Sequence, residues 1–169
     1  MKEYWGKVDP TFAHLKMDKW LKSEQAIFNH WKKSFIYQFD WEGKTVIDYG
    51  IGGGYLGKLL YKEHDIEKYI GVDIAQRSLD KAKDTLKEYK QSEFYLTPVF
   101  LNKFKADIFV CIACMYHIPT ESMVKSLLYD IDNSGCSELI IEIKETPKLD
   151  NIFTPEFPHK AFLARISWV

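Results

Sequence analysis

The sequence predicts an α/β protein whose parallel β-sheet carries helices on both faces. Short apolar runs rich in β-branched residues alternate with segments of helical periodicity along most of the chain. The first clear strand, residues 45 to 48, stops at a cluster of glycines. At 169 residues, the chain has the length of one domain. Because alternating strands and helices form parallel sheets, we expect one such sheet here.

The elements can be assigned in chain order. Apolar residues spaced by three and four predict a helix from Asp18 to Gln38, either continuous or broken near Ser23. The strands are then expected at 45–48, 68–73, 93–96, 106–114 and 138–143, and the helices at about 54–63, 76–89 and 120–131. Thr120 is placed to cap the last of these helices and Gly135 to end it.

We expect a single domain with three parts. Residues 1–41 form a helical cap or lid, residues 42–145 the cofactor-binding core, and residues 146–169 an irregular tail. Three X-Pro pairs interrupt that tail, and residues 165–169 form at best one short strand. The C-terminal edge of the sheet is therefore abbreviated. Either the fold itself is short, a partner subunit covers the edge, or the sequence is a fragment.

Composition and charge exclude several functional classes. The net charge of −1 and the lack of a clustered basic face argue against nucleic-acid binding. No run approaches the roughly 20 apolar residues of a membrane span, and the N-terminus lacks a signal-peptide core, so we expect a cytoplasmic protein. Cys111 and Cys114 lie in an apolar run and are predicted to be reduced core residues, with redox or zinc chemistry as the alternative. We predict no metal site.

The turn after the first strand has the character of a cofactor site. The β-branched run ends at Asp48, and Gly50 and Gly52 follow. Glycine permits the positive φ angles and the close backbone approach that a tight strand-to-helix turn needs. The next apolar run ends at Asp73, where a Rossmann-like second strand presents a carboxylate to ribose hydroxyls.

Two cofactor classes compete for this turn. Residues 52–57 also satisfy the dinucleotide pattern G-x-G-x-x-G. A carboxylate at Asp48 disfavours a pyrophosphate, whereas it would attract the sulfonium and ammonium of S-adenosylmethionine (SAM), directly or through water. The electrostatics favour SAM, and an NAD-type cofactor is the alternative.

These residues carry a resemblance to a known family. The sequence resembles the class I SAM-dependent methyltransferases, in particular their small-molecule branch. The likeness covers roughly residues 40 to 145. It includes the first motif at Val46–Gly54, the acidic motif at Ile70–Ile74, a fourth-strand segment at Ala106–Pro119 and a fifth strand at Glu138–Glu142.

The resemblance implies roles for the first two motifs. The backbone of Gly50 and Gly52, with Ile51 between them, would approach the methionine part of the cofactor. Asp73 would bind the ribose hydroxyls, and Ile74 would border the adenine.

Residues after the third and fourth strands complete the implied site. Thr97 stands near the position where the family often has an Asp or Asn that binds the adenine amino group. Ile112 and Ala113 would meet the methionine end through backbone atoms. His117 is a candidate general base, or else a histidine that only hydrogen-bonds the backbone. Tyr116 is a second catalytic candidate, or else a packing residue.

The implied function is methyl transfer from SAM to a small molecule by in-line displacement, with S-adenosylhomocysteine (SAH) as product. The Asn/Asp-Pro-Pro-Tyr/Phe signature of DNA amino-methylating enzymes is absent after the predicted fourth strand. We therefore expect a small-molecule acceptor, no nucleic acid, no membrane, and a homodimer or partner subunit at the C-terminal sheet edge. The alternatives are a catalytically weak, cofactor-binding regulatory subunit of a partner methyltransferase and, third, an NAD-type oxidoreductase.

Overall fold

Strands and helices alternate through the part of the chain that the structure, a computed structural model, describes: residues 24–142 and 161–164. The helices are α1 (Glu24–Ser34), α2 (Tyr55–Glu63), α3 (Gln76–Thr85) and α4 (Glu121–Asp132). The strands are β1 (Thr45–Tyr49), β2 (Lys68–Asp73), β3 (Ser92–Leu96), β4 (Ile108–Cys111), β5 (Glu138–Glu142) and β6 (Ala161–Ala164). Single 3-10 turns lie at Ile36–Gln38, Leu101–Lys103 and Met115–His117.

The strands form one parallel sheet in the order β3-β2-β1-β4-β5-β6. This confirms the predicted parallel α/β fold. The chain runs outward from β1 through β2 to β3 and then returns to place β4 on the other side of β1. The strand order therefore reverses between β1 and β4, and in open parallel sheets ligands bind beyond the carboxyl ends of the strands at such a point.

The predicted elements agree with the observed ones, with a few differences. The fourth strand ends at Cys111 because the backbone bends at Ala113, whose φ is 52°. In the tail expected to be irregular, Ala161–Ala164 pair with β5 as a parallel strand, and four residues are too few to reveal strand alternation in the sequence. The proposed strand at 165–169 and most of the cap at 1–41 lie outside the described residues.

One face of the sheet packs against α4. Thr120 caps this helix as predicted, because its hydroxyl accepts a hydrogen bond from the Met123 amide. The buried apolar side chains of this face include Ile47, Phe109, Leu139 and Ile141 of the strands, and Val124, Leu127, Leu128 and Ile131 of the helix. Their burial fixes α4 beside the carboxyl ends of β1 and β4.

The opposite face packs against α1, α2 and α3. Because strand side chains alternate between faces, Val46 points to this layer while Ile47 points to the other. The buried contributors include Val46, Ile108, Val110 and Ile140 of the strands, and Ile27, Phe28, Leu56, Leu59, Leu60, Leu79 and Ala82 of the helices. The sheet is thus covered on both faces. No helix in the described ranges is long and apolar enough to cross a membrane.

Asp107 joins three strands at the amino end of the sheet. Its carboxylate accepts a hydrogen bond from the Thr45 amide at 2.8 Å, and its own amide donates to the Thr45 carbonyl at 2.9 Å. Its carbonyl accepts from the amides of Ser137 and Glu138 at 2.9 and 3.2 Å. The starts of β1, β4 and β5 are therefore held together by one residue.

Gly57 of α2 lies directly against the ring of Tyr69 in β2. A Cβ atom on Gly57 would sit 2.6 to 2.8 Å from three atoms of that ring, and Tyr69 is fully buried. The absent side chain lets the helix approach the sheet closely. This gives the third glycine of the G-x-G-x-x-G pattern a packing role.

Replacing Gly57 by Ala should lower the free energy of unfolding. Alanine favours helices over glycine by up to about 1 kcal/mol, but the clash with the buried Tyr69 ring should cost about 1–3 kcal/mol. Urea unfolding measures the difference. Lys62→Ala, an exposed change in the same helix, is the control and should alter stability by less than about 0.5 kcal/mol. A more stable Gly57→Ala variant would contradict this packing role.

Candidate functional site

A cavity of about 600 Å³ opens at the carboxyl ends of the central strands, where the strand order reverses. Residues from the ends of four strands and from α4 line it. They are Tyr49, Gly50 and Gly52 near the end of β1; Asp73, Ile74 and Ser78 near the end of β2; Thr97, Pro98, Val99 and Phe100 after β3; Ala113, Cys114, His117, Ile118 and Pro119 after β4; and Met123, Ser126, Leu127 and Asp130 of α4.

The turn after β1 exposes backbone to this cavity. The amides of Gly50 and Ile51 both donate to the Val72 carbonyl, at 2.7 and 3.1 Å. Gly50 has a φ of 87°, and a Cβ atom there would lie 2.6 Å from both Cβ and Sγ of Cys114. Glycine is therefore required at Gly50 for conformation and for space. At Gly50 the turn thus contributes backbone alone to the cavity wall, and the Cys114 side chain packs beside it.

Asp73 ties the ends of β1 and β2 together. Its carboxylate accepts hydrogen bonds from the Gly52 amide at 3.0 Å and from the Ala75 amide at 2.9 Å. Burial raises the pKa of this carboxyl above its ordinary range, and the hydrogen bonds from backbone amides oppose that shift. The carboxylate is fixed by the backbone and lines the cavity.

Asp48, which was expected to offer its charge to the cofactor, is not among the described residues that line the cavity. The residue is 4% exposed, and its carboxylate accepts a hydrogen bond from the Tyr69 hydroxyl. Burial raises its pKa to about 7, the hydrogen bond from Tyr69 lowers it, and nearby Asp73 raises it further. The interpretation of Asp48 as a direct cofactor contact is therefore corrected, because its side chain points to the opposite layer.

The segment after β4 turns sharply along the cavity. Ala113 adopts a left-handed conformation, which is uncommon for a residue with a side chain. The His117 amide donates to the Cys114 carbonyl at 2.9 Å, closing the short turn that places His117 at the cavity wall. Ile112 packs against the core on the α2 and α3 face instead. The Tyr116 side chain lies outside the described part of the structure.

The α4 wall was missed by the sequence analysis. Its cavity residues, Met123, Ser126, Leu127 and Asp130, recur at spacings of three and four, so they lie on one side of the helix. That periodicity was available in the sequence, but nothing in it shows which side faces a ligand. In the described ranges, Asp73 and Asp130 are the acidic residues that line the cavity, and no Lys or Arg lines it.

Comparison with known proteins identifies the fold. A SAM-dependent methyltransferase of Methanococcus maripaludis has a TM-score of 0.59 and 17% identity over 85% of this chain and 68% of its own. A chain from the complex between the Haloferax volcanii Trm112 methyltransferase activator and a methyltransferase has a TM-score of 0.54 and 19% identity, over 75% of this chain and 55% of its own. The protein has the class I methyltransferase fold.

A third structure with this fold is the phosphoethanolamine N-methyltransferase 1 of Haemonchus contortus, crystallised with phosphoethanolamine and SAH. It has a TM-score of 0.58 and 11% identity over 77% of this chain, which spans only 28% of that protein. The present chain thus spans about half, or less, of several of the structures it matches. No protein-family model and no curated protein sequence matched it.

The class I methyltransferase fold brings most of the predicted site residues to one cavity. Those that line it are Gly50, Gly52, Asp73, Ile74, Thr97, Ala113 and His117. Asp48, Ile51 and Ile112 do not. The Ile51 side chain packs over Gly71 instead and fills the space left by that glycine. Ile112 packs against the core on the α2 and α3 face, and Asp48 is buried on that same side of the sheet.

The buried Asp48 should make stability depend on pH. Its pKa is 3.8 in an unfolded chain and about 7 in the fold, so the folded protein binds the extra proton between these values. The free energy of unfolding should therefore fall as pH rises from about 4 to about 7, by about 1 kcal/mol per pH unit in the middle of that window, and then level off.

Chemical unfolding of wild type and Asp48→Asn at pH 5, 6, 7 and 8 measures this dependence. The isosteric amide cannot ionise, so the difference between the two proteins should grow from pH 5 to 7 and stay constant above it. Tyr69→Phe removes a hydrogen bond that lowers the Asp48 pKa, and should extend the decline to higher pH. If the free energies of unfolding of wild type and Asp48→Asn changed with pH in parallel, the pH dependence could not be assigned to Asp48.

Proposed function

We propose that this protein is a SAM-dependent methyltransferase that acts on a small molecule. The observation that carries the proposal is the Asp73 carboxylate, fixed beside the glycine turn and lining the cavity. A carboxylate at this point of a Rossmann-like sheet suits the vicinal hydroxyls of a ribose. The class I methyltransferase fold supports the same conclusion, as does the SAH bound in one solved structure with this fold.

The cavity residues fit such a cofactor. The bare backbone at Gly50 and Gly52 allows close approach of the methionine part, and Asp73 would hold the ribose. Ile74 offers an apolar side chain for the adenine, with Thr97 beside it as a polar group. Ala113 would meet the methionine end through its backbone.

The charge of the wall favours SAM over a dinucleotide. Asp73 and Asp130 line the cavity, and the described lining includes no Lys or Arg. An acid that binds ribose, as Asp73 would, suits either cofactor, but SAM carries a sulfonium and an ammonium and no phosphate, whereas NAD carries a diphosphate for which the described lining offers no Lys or Arg.

The chain's own part in the reaction is alignment, water exclusion and proton removal. Bound SAM supplies a methyl carbon that the sulfonium already activates. Val99, Ile118 and Leu127 give the cavity an apolar lining that disfavours water near the reacting atoms. His117 lines the same cavity and is proposed as the general base that takes a proton from the acceptor, with Tyr116 as a further polar contact.

The size and charge of the cavity restrict the acceptor. A volume of about 600 Å³ must hold the cofactor and the acceptor group together, which suits a small molecule. An acceptor with a carboxylate or phosphate near Asp73 and Asp130 would meet like charge, with no Lys or Arg among the described lining residues. We therefore propose that the acceptor end which enters the cavity is neutral or positively charged.

A second candidate is a cofactor-binding regulatory subunit of a partner methyltransferase. It is favoured by the outer edge of β6, which pairs with no other strand within the described residues. An open edge offers backbone groups to a second chain, either a partner or another copy of this one. Tight SAH binding with no turnover, together with a complex in size-exclusion chromatography, would favour this candidate.

SAH should bind to the protein and raise its melting temperature, and NAD should not. A ligand at 100 times its Kd adds roughly 2.7 kcal/mol to stability. Asp73→Ala should weaken SAH binding about 10- to 100-fold in calorimetry, because hydrogen bonds to a charged group contribute about 1.5–3 kcal/mol. Asp84→Ala, an exposed acid of α3 outside the cavity lining, is the control. Stabilisation by NAD alone would overturn the proposal.

His117→Asn should lower turnover without altering SAH affinity. Acceptors are first identified by transfer of a labelled methyl group from SAM to pools of small molecules. Loss of a general base typically costs roughly 10²–10⁴-fold in rate. His64→Asn, a half-buried histidine outside the cavity lining, should keep wild-type kinetics. Equal turnover in His117→Asn would exclude His117 as the base.

A further inference from the structure

The proposed function does not use the C-x-x-C motif at the end of β4. Cys111 is the last residue of the strand and is fully buried. Cys114 follows three residues later, is half-buried, and lines the cavity. One thiol is therefore enclosed in the core, and the other can be reached from the cavity.

The local backbone brings these two side chains together. Ala113 adopts the left-handed conformation, with a φ of 52°, inside the four-residue bend from Cys111 to Cys114. Cys111 and Cys114 therefore flank a bend rather than continue along one extended strand, in which residues three apart lie too far from each other for a disulfide. Both side chains also pack in one place, because Cys111 belongs to the buried cluster on the α4 face of the sheet and Cys114 packs against that cluster.

Cys114 also shapes the cofactor end of the cavity. Its Cβ and Sγ atoms lie 2.6 Å from the point where a Gly50 Cβ would be, so the side chain packs directly against Gly50 at the glycine turn. Drawing Sγ from Gly50 toward Cys111 would change the wall at that turn.

We propose that Cys111 and Cys114 form a reversible oxidation site whose disulfide weakens binding at the cofactor end of the cavity. The oxidant is a small-molecule disulfide such as glutathione disulfide. The Cys114 thiolate, reached through the cavity, attacks one sulfur of the oxidant and releases one thiol. The Cys111 thiolate then attacks Cys114 Sγ and releases the second thiol. One protein disulfide and two small thiols form, and both cysteine protons end on those thiols.

The surroundings of the two thiols set the conditions under which the second step can occur. Burial and the neighbouring Cys114 raise the pKa of the Cys111 thiol, so the second step should be faster in mild alkali. In the described ranges, no group of three or more His, Cys, Asp or Glu residues is arranged to hold a metal, which leaves the two thiols without a zinc site there. Cys136 is buried and hydrogen-bonded to Ser134, and it provides a matched control.

The test uses the full chain incubated with glutathione disulfide at pH 8.5, then unfolded and alkylated with N-ethylmaleimide. Wild type and Cys136→Ala should each lose the mass of two hydrogens and two alkylation sites. Cys111→Ala should instead stop as a mixed disulfide at Cys114, and Cys114→Ser should react at neither position. Retention of all alkylatable cysteines in wild type, or a disulfide that includes Cys136, would overturn the site.

Calorimetry with SAH tests whether the disulfide weakens binding at the cofactor end of the cavity. This effect rests on the proposed function, whereas formation of the disulfide does not. Oxidised wild type should bind SAH about 10-fold more weakly or worse, equivalent to about 1.4 kcal/mol, and dithiothreitol should restore the affinity. Equal affinity in the oxidised and reduced forms would refute the effect on the cavity. If reduced wild type fails to bind SAH, the proposed function fails, while the mass measurement still decides whether the disulfide forms.

Discussion

The hydrogen bonds that Asp73 accepts from Gly52 and Ala75 hold together the two turns on which the rest of the site depends. Gly52 belongs to the turn after β1, and Ala75 precedes α3 after β2. The Asp73 carboxylate therefore holds the two turns next to each other, and the same hydrogen bonds keep it at the cavity wall. Because both donors are backbone amides, the charge is held without any basic side chain.

Asp48 points away from the cavity, toward the layer of α2 and α3, and has a different role from Asp73. It is buried beside Tyr69, a residue 21 positions later, and its pKa is raised to about 7 mainly by burial. Tyr69 in turn fits only because Gly57 has no side chain. The two acids of the first motifs are thus divided: one faces the cavity, and the other supports the packing between α2, β1 and β2.

Much of this arrangement could be predicted from the sequence because the signals are local. The alternation of apolar runs predicted the parallel sheet, and the glycine turn with Asp73 predicted where the cavity lies. Strand alternation places Asp48 on the same face as Val46, but which face of β1 borders the cavity could not be predicted, since it depends on how the helices pack on the sheet. The α4 wall, with Asp130, and the left-handed Ala113 were missed for a related reason. Packing between distant elements decides which side of a helix faces the cavity and where a strand bends.

The position of Asp107 has a consequence for how this molecule can vary. This residue joins the starts of β1, β4 and β5 at the end of the sheet opposite the cavity. Strand registers are therefore anchored far from the loops that surround the cavity, and exchanging those loops need not disturb the anchored end. Such a frame is a suitable scaffold for grafting, in which new ligand preferences are introduced by loop replacement while the anchored end of the sheet is kept.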